Sequence, residues 1–124
     1  MSQDLIADAL NEIMNTKRAR RDFVIVDRHS KLLIKILELA QREGYIENFE
    51  VKEKKVEIKI GKLNECRAIK PRFNVTTDKI EKYMKRYLPA RDMGVILIST
   101  NKGLMTHIEA YEKNIGGSLI AYFY

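Results

Sequence analysis

Residues 55–60, KVEIKI, alternate apolar and charged side chains with period two: Val56, Ile58 and Ile60 on one side, Glu57 and Lys59 on the other. Only a strand sends successive side chains to opposite faces, so this segment is committed to being a half-buried strand. FEVKEK just before it supplies a partner, and a hairpin turning around residues 53–55 is predicted.

Other segments carry the helical period instead. Leu5, Ile6, Ala9, Leu10, Ile13 and Met14 form one face of a helix over 3–16, with Asp4 near its start complementing the dipole. Ser30 reads as the N-cap of a second helix, about 31–43, which Gly44 stops. DFVIVD (22–27) reads as a short buried strand between them, and CRAI (66–69) as another strand. Pro71 then implies a bend or a sheet edge. Thr77 or Asp78 is expected to cap a third helix to about Tyr87, with Pro89 beyond its end. GVILIS (94–99) is a near-continuous apolar strand. Thr106 and Glu109 have capping-box spacing for a short helix over 107–113, Gly116-Gly117 breaks it, and SLIAYFY closes the chain as a strand. Strands and helices do not alternate as a parallel sheet requires, so the class is α+β.

A length of 124 residues suits one compact domain or two very small ones. In the second case residues 1–64 would be an α+β helix–strand–helix–hairpin domain, and 65–124 a mostly-β domain with short helices. The charge balance changes near that boundary. Residues 1–65 hold 13 Lys/Arg and 12 Asp/Glu, whereas 66–124 hold 10 and 5, within a chain of formal net charge +6. A basic excess favours an anionic partner, nucleic acid ahead of an acidic protein or a membrane surface. The single cysteine, Cys66, forms no internal disulfide and fits a reducing, intracellular setting, as a small core residue. No run approaches the length of a membrane span, and the acidic start MSQDLIADAL predicts no signal peptide.

The densest polar stretch is STNKG, 99–103, between the apolar strand and the capping box. Its only glycine follows Lys102, so it is not a Walker loop. Ser99 and His107 suggest a nucleophile and base, but no acid is placed to orient the histidine and the Gly-x-Ser-x-Gly elbow is missing. His107 reads as a surface residue of the first helical turn. His29, His107 and Cys66 lack metal-ligand spacing, and no cofactor is expected. Residue chemistry leaves two readings of STNKG open. One is a turn plus capping box with no partner. The other is a contact loop for RNA edges, 2′-hydroxyls and phosphates, with the N–H groups of the helix at 107 facing the same region. Lys17, Arg18, Arg20 and Arg21, with Arg67, Lys70, Arg72 and Lys102, are candidate phosphate contacts beside the aromatic end Tyr122, Phe123, Tyr124. Readings of another class are a small hydrolase using Ser99 and a protein-interaction module using the aromatic strand.

Four stretches, DLIADALNEIMN, HSKLLIKILELAQREGYIENF, STNKGLMTHIEA and GGSLIAYFY, stand in the order and spacing of the universal small-subunit ribosomal protein eight family. KPRFNV and RYLPARDMGVILIST resemble its archaeal and eukaryotic branch. The resemblance covers essentially the whole chain. It implies a primary binder of the central domain of small-subunit ribosomal RNA, needed for assembly, with no catalytic residues and no metal. It also implies a cytoplasmic, ribosomal location, a monomer when free, and neighbouring small-subunit proteins as further partners. The family's Ser-Thr-x-x-Gly loop maps onto Ser99, Thr100 and Gly103, with Asn101 and Lys102 variable, in the main RNA-binding domain. The N-terminal domain would add backbone contacts through residues 17–21 and Lys31. Two departures stand out: Ser118 follows the Gly-Gly pair where bacterial members carry an acid, and no tyrosine at 74–76 matches theirs.

Overall fold

A computed structural model describes residues 5–70, 72–90 and 93–124. Asp4 and Pro71, given a dipole role and a bend above, lie outside them. The chain divides into two compact units, Met1–Cys66 and Arg67–Tyr124, and the fold is α+β.

In the first unit α1 (Leu5–Arg18) and α2 (Lys31–Arg42) accompany a three-stranded antiparallel sheet of order β1-β3-β2: β1 is Phe23–Val26, β2 Ile46–Lys52, β3 Lys55–Ile60. The apolar stripes of both helices are buried, with Leu10, Ile13, Leu33, Ile36 and Leu37 fully enclosed. Val56 and Ile58, the alternating residues of β3, are equally enclosed. Ser30 caps α2, its hydroxyl accepting from the Leu33 N–H at 3.2 Å, and Gly44 follows the helix with φ +89°. The β2–β3 hairpin turns at Glu53 and Lys54. β1 departs from expectation. It is not a buried strand: Phe23 and Ile25 are about half exposed, at 50% and 44%. The cause is pairing. β1 is an edge strand of a sheet packed on one side, so these two residues sit opposite Lys59 and Glu57 on the open face.

In the second sheet β4 (Cys66–Ala68, which begins at the last residue of the first unit), β8 (Gly117–Phe123), β6 (Val95–Thr100) and β7 (Gly103–Thr106) lie in that order, and β5 (Asn74–Val75) also pairs with β8. β6 runs antiparallel to both β7 and β8. Its four apolar residues Val95–Ile98 are all buried, as a central strand requires. The third helix starts differently from the sequence reading. Thr77 and Asp78 lie inside a 3-10 turn, Thr77–Lys79, that leads into α3 (Ile80–Tyr87). Thr76 stands before that turn, and its hydroxyl donates to the Asp78 carboxylate, holding that carboxyl below its usual range.

The short helix α4 (His107–Glu112) carries the expected capping box. It is stopped by Asn114, with φ +55°, and not by Gly116-Gly117. The Ile115 N–H closes the end on the Ala110 carbonyl at 2.9 Å. The two glycines serve a different need. A Cβ on Gly117 would lie 2.3 Å from the Ser99 carbonyl oxygen, and one on Gly116 2.3 Å from that of Val75, so β8 enters the sheet where only glycine fits.

Candidate nucleic-acid interface

STNKG is not a loop leading into a helix. Ser99 and Thr100 are the last residues of β6, Gly103 is the first of β7, and Asn101-Lys102 is a two-residue turn between them, with Thr100 paired to Gly103. Reversal in so short a span needs a left-handed residue, and Gly103 supplies it at φ +107°. β7 escapes the sequence reading because it is four residues long and runs straight into the capping box. The hairpin also lacks the Asn-Gly or Asp-Gly pair that marks such turns, its glycine standing one place later.

Thr100 fixes the tip. Its hydroxyl donates to the Gly103 carbonyl at 2.8 Å and accepts from the Lys102 N–H at 3.0 Å. Asn101, Lys102 and Gly103 are exposed, while Ser99 and Thr100 are half-buried. The donors of Asn101 and Lys102 are therefore carried on a tied, protruding turn.

A polar row crosses the sheet next to the tip. Ser99 of β6 is in register with Ser118 of β8, and Ser118 with Asn74 of β5. Directly paired residues share a face. The Ser118 hydroxyl donates to Asn74 Oδ1 at 2.5 Å. At the position where bacterial members are expected to carry an acid, this chain has a neutral hydroxyl tied to a neighbouring amide. Asn74 and Ser118 are not among the predicted site residues. Only strand register places them beside Ser99, and sequence spacing gives no hint of it.

The N-terminus of α4 does not join this surface. The Thr106 N–H donates to Glu109 Oε1 at 3.3 Å, the Glu109 N–H to the Thr106 hydroxyl at 3.3 Å, and Thr106 is buried. All of β7 intervenes, about 10 Å at the usual strand rise. His107 is not on the surface either. It is 4% exposed, and its Nδ1 accepts the Ile96 N–H at 3.1 Å, which places the ring proton on Nε2. His107 is thus anchored to β6 three residues from Ser99, about 10 Å along the strand, so the two do not form a nucleophile–base pair.

The basic residues fall into two sets, one in each unit. In the second unit Arg67 lies on β4 and Lys102 at the hairpin tip, both exposed. Lys70 and Arg72, also exposed, lie between two anchor points on β8: the Ile69 N–H donates to the Ile120 carbonyl, and the Phe73 carbonyl accepts from the Leu119 N–H. In the first unit Lys17 and Arg18 form the last turn of α1. Arg20 then reverses the chain at φ +62°, and Arg20 and Arg21 stand exposed beyond it. Lys31 occupies the first turn of α2, where no acid offsets it. A cation there adds to the positive end of the helix dipole, so an anion is favoured at that place.

The aromatic end is largely core. Phe123 is fully buried, and Tyr122 stacks on Tyr87 and Tyr124 with ring centroids 5.5 and 6.1 Å apart. Cys66 is fully buried, its amide bonded to Met14 Sδ at 3.3 Å. The His29 ring donates through Nε2 to the Glu53 carbonyl of the β2–β3 turn at 2.8 Å. Among the described residues no three His, Cys, Asp or Glu side chains are gathered as a metal site, and no helix is long and apolar enough to cross a membrane.

The model of a family described as Ribosomal protein S8 matches residues 4–124. Over 129 residues the chain is 45% identical to the small ribosomal subunit protein uS8 of Nanoarchaeum equitans, covering the full length of both. Over 127 residues it is 39% identical to the small ribosomal subunit proteins uS8A and uS8B of Schizosaccharomyces pombe, covering 98% of each chain.

Proposed function

Since the chain belongs to the ribosomal protein S8 family, a structural component of the small ribosomal subunit and not an enzyme, we propose that it is a primary binder of the central domain of small-subunit ribosomal RNA and shapes that RNA during assembly. The observation that carries this reading is the hairpin tip. Asn101 and Lys102 protrude on a turn that Thr100 has already closed, so their donors meet a partner without first paying for order. The Ser99–Ser118–Asn74 row extends the same polar surface with hydroxyl and amide groups. That set suits unpaired base edges and 2′-hydroxyls in a wide, shallow minor groove.

Two kinds of contact divide the labour. Arg67, Lys70, Arg72 and Lys102 neutralise phosphates and release counterions, which gives affinity and salt dependence. Ser99–Gly103 hydrogen-bonds bases and sugars and so selects one RNA shape. The first unit adds backbone contacts through Lys17, Arg18, Arg20, Arg21 and Lys31, and the free chain is a monomer.

Hydroxyl-radical footprinting of the central-domain RNA with the purified chain tests this. Protection of one irregular helix, fading as salt rises, is expected. Protection spread evenly over any duplex, or none in the central domain, would overturn it.

A further inference from the structure

The second unit has a surface the RNA reading does not use. α3 and α4 border a groove of about 390 Å³ lined by Ile80, Met84, Ile108 and Tyr111, with Glu81 and Glu112 at its edge and His107 in its wall. Ile108 and Tyr111 are 52% and 62% exposed. They stand three residues apart on α4 and so share a face. Single exposed apolar residues are ordinary; two on one face beside a groove supply the apolar part of an interaction surface.

Its charge is the reverse of the chain's. In a protein of net charge +6, the carboxylates of Glu81 and Glu112 line this groove, and among the described residues no Lys or Arg lines it. The bases of α3 are turned to other work. Lys82 lies over the Tyr83 ring at 5.8 Å and Arg86 over the Tyr87 ring at 5.5 Å, while Lys85 lines the adjoining hollow. The other acid of α4, Glu109, is committed to the capping box. An acid-edged apolar groove repels phosphates and favours a partner that brings an apolar side chain with positive charge beside it.

We propose that the groove between α3 and α4 is a docking surface for a segment of a neighbouring small-subunit protein, one that inserts an apolar side chain flanked by Lys or Arg. The inference rests on membership of the subunit and is independent of how the 99–103 hairpin meets RNA.

The test places the photo-crosslinking residue p-benzoylphenylalanine at position 111 in chains assembled into small subunits, with mass-spectrometric mapping of the product. The expected product is a protein segment with Lys or Arg within a few residues of the crosslinked apolar side chain. Glu81→Lys with Glu112→Lys should lower the crosslink yield per incorporated chain about tenfold. Glu81→Gln with Glu112→Gln, which leaves the first turn of α3 neutral, should lower it less. Neither pair should change the affinity of the free chain for the central-domain RNA fragment. A crosslink to RNA, to a segment without nearby bases, or to nothing overturns the proposal, as does a yield indifferent to charge reversal or a loss of RNA affinity in either pair. If instead the wild-type chain fails to bind the fragment at all while the protein crosslink forms, the RNA reading falls and this one stands.

Discussion

Thr100 uses one hydroxyl to hold two parts of a turn, as donor to Gly103 and acceptor from Lys102. Removing it without changing shape isolates that function. Thr100→Val should cost about 0.5–1.5 kcal/mol in chemical denaturation, the usual net worth of such bonds, and should speed hydrogen exchange of the Lys102 amide. Thr100→Ser, which keeps the hydroxyl, should restore both. Legibility differs sharply among residues here. The capping box at Thr106 and Glu109 is readable because all its partners lie within four residues. The burial of His107 is not, because it goes with a bond from Ile96 on β6, eleven residues back. Ser118 shows the same limit: the sequence marks it as a departure, but only the register with β5 reveals Asn74 as its partner.

At the scale of elements, patterns complete within themselves are legible. The alternation of KVEIKI identifies the strand and its buried face, and Ser30 with Gly44 bounds α2. What depends on pairing is not. Four apolar residues in a row do not say that Phe23 and Ile25 face open space, since that follows from their sheet being covered on one face only. β7 is hidden between a turn lacking the usual dipeptide and a helix cap. The glycine pair reads as a helix stop in the sequence, whereas it marks where β8 passes close to β5 and β6. Gly117→Ala should therefore destabilise the chain by about 1–3 kcal/mol, the usual cost of overpacking, as read from the midpoint of denaturation. Because the clash is with the Ser99 carbonyl, the same variant should disturb amide shifts along 98–100 in a heteronuclear spectrum. A Gly117→Ala variant as stable as wild type would show that β8 can move aside.

At the scale of the molecule, charge is divided between two units that bring it to the surface by different means. One unit gathers it at the end of α1 and the start of α2; the other carries it on β4, around Lys70 and Arg72, and at a hairpin tip. The basic bias of residues 66–124 is legible by counting. The acid-lined groove within the same unit is not, because it depends on which face of α3 meets α4. In the proposed function, affinity comes from phosphate contacts and selectivity from the 99–103 hairpin, and these make separable contributions to one binding isotherm. The direct measurement is the dissociation constant for the central-domain RNA fragment across a salt series, for wild type, Ser99→Ala with Asn101→Ala, and Lys102→Ala. Thr100 is left in place so that the turn stays closed. The double variant should bind about 10- to 100-fold more weakly at every salt concentration with an unchanged slope, while Lys102→Ala should reduce the slope by about one. A double variant that binds the fragment as tightly as wild type would contradict the account.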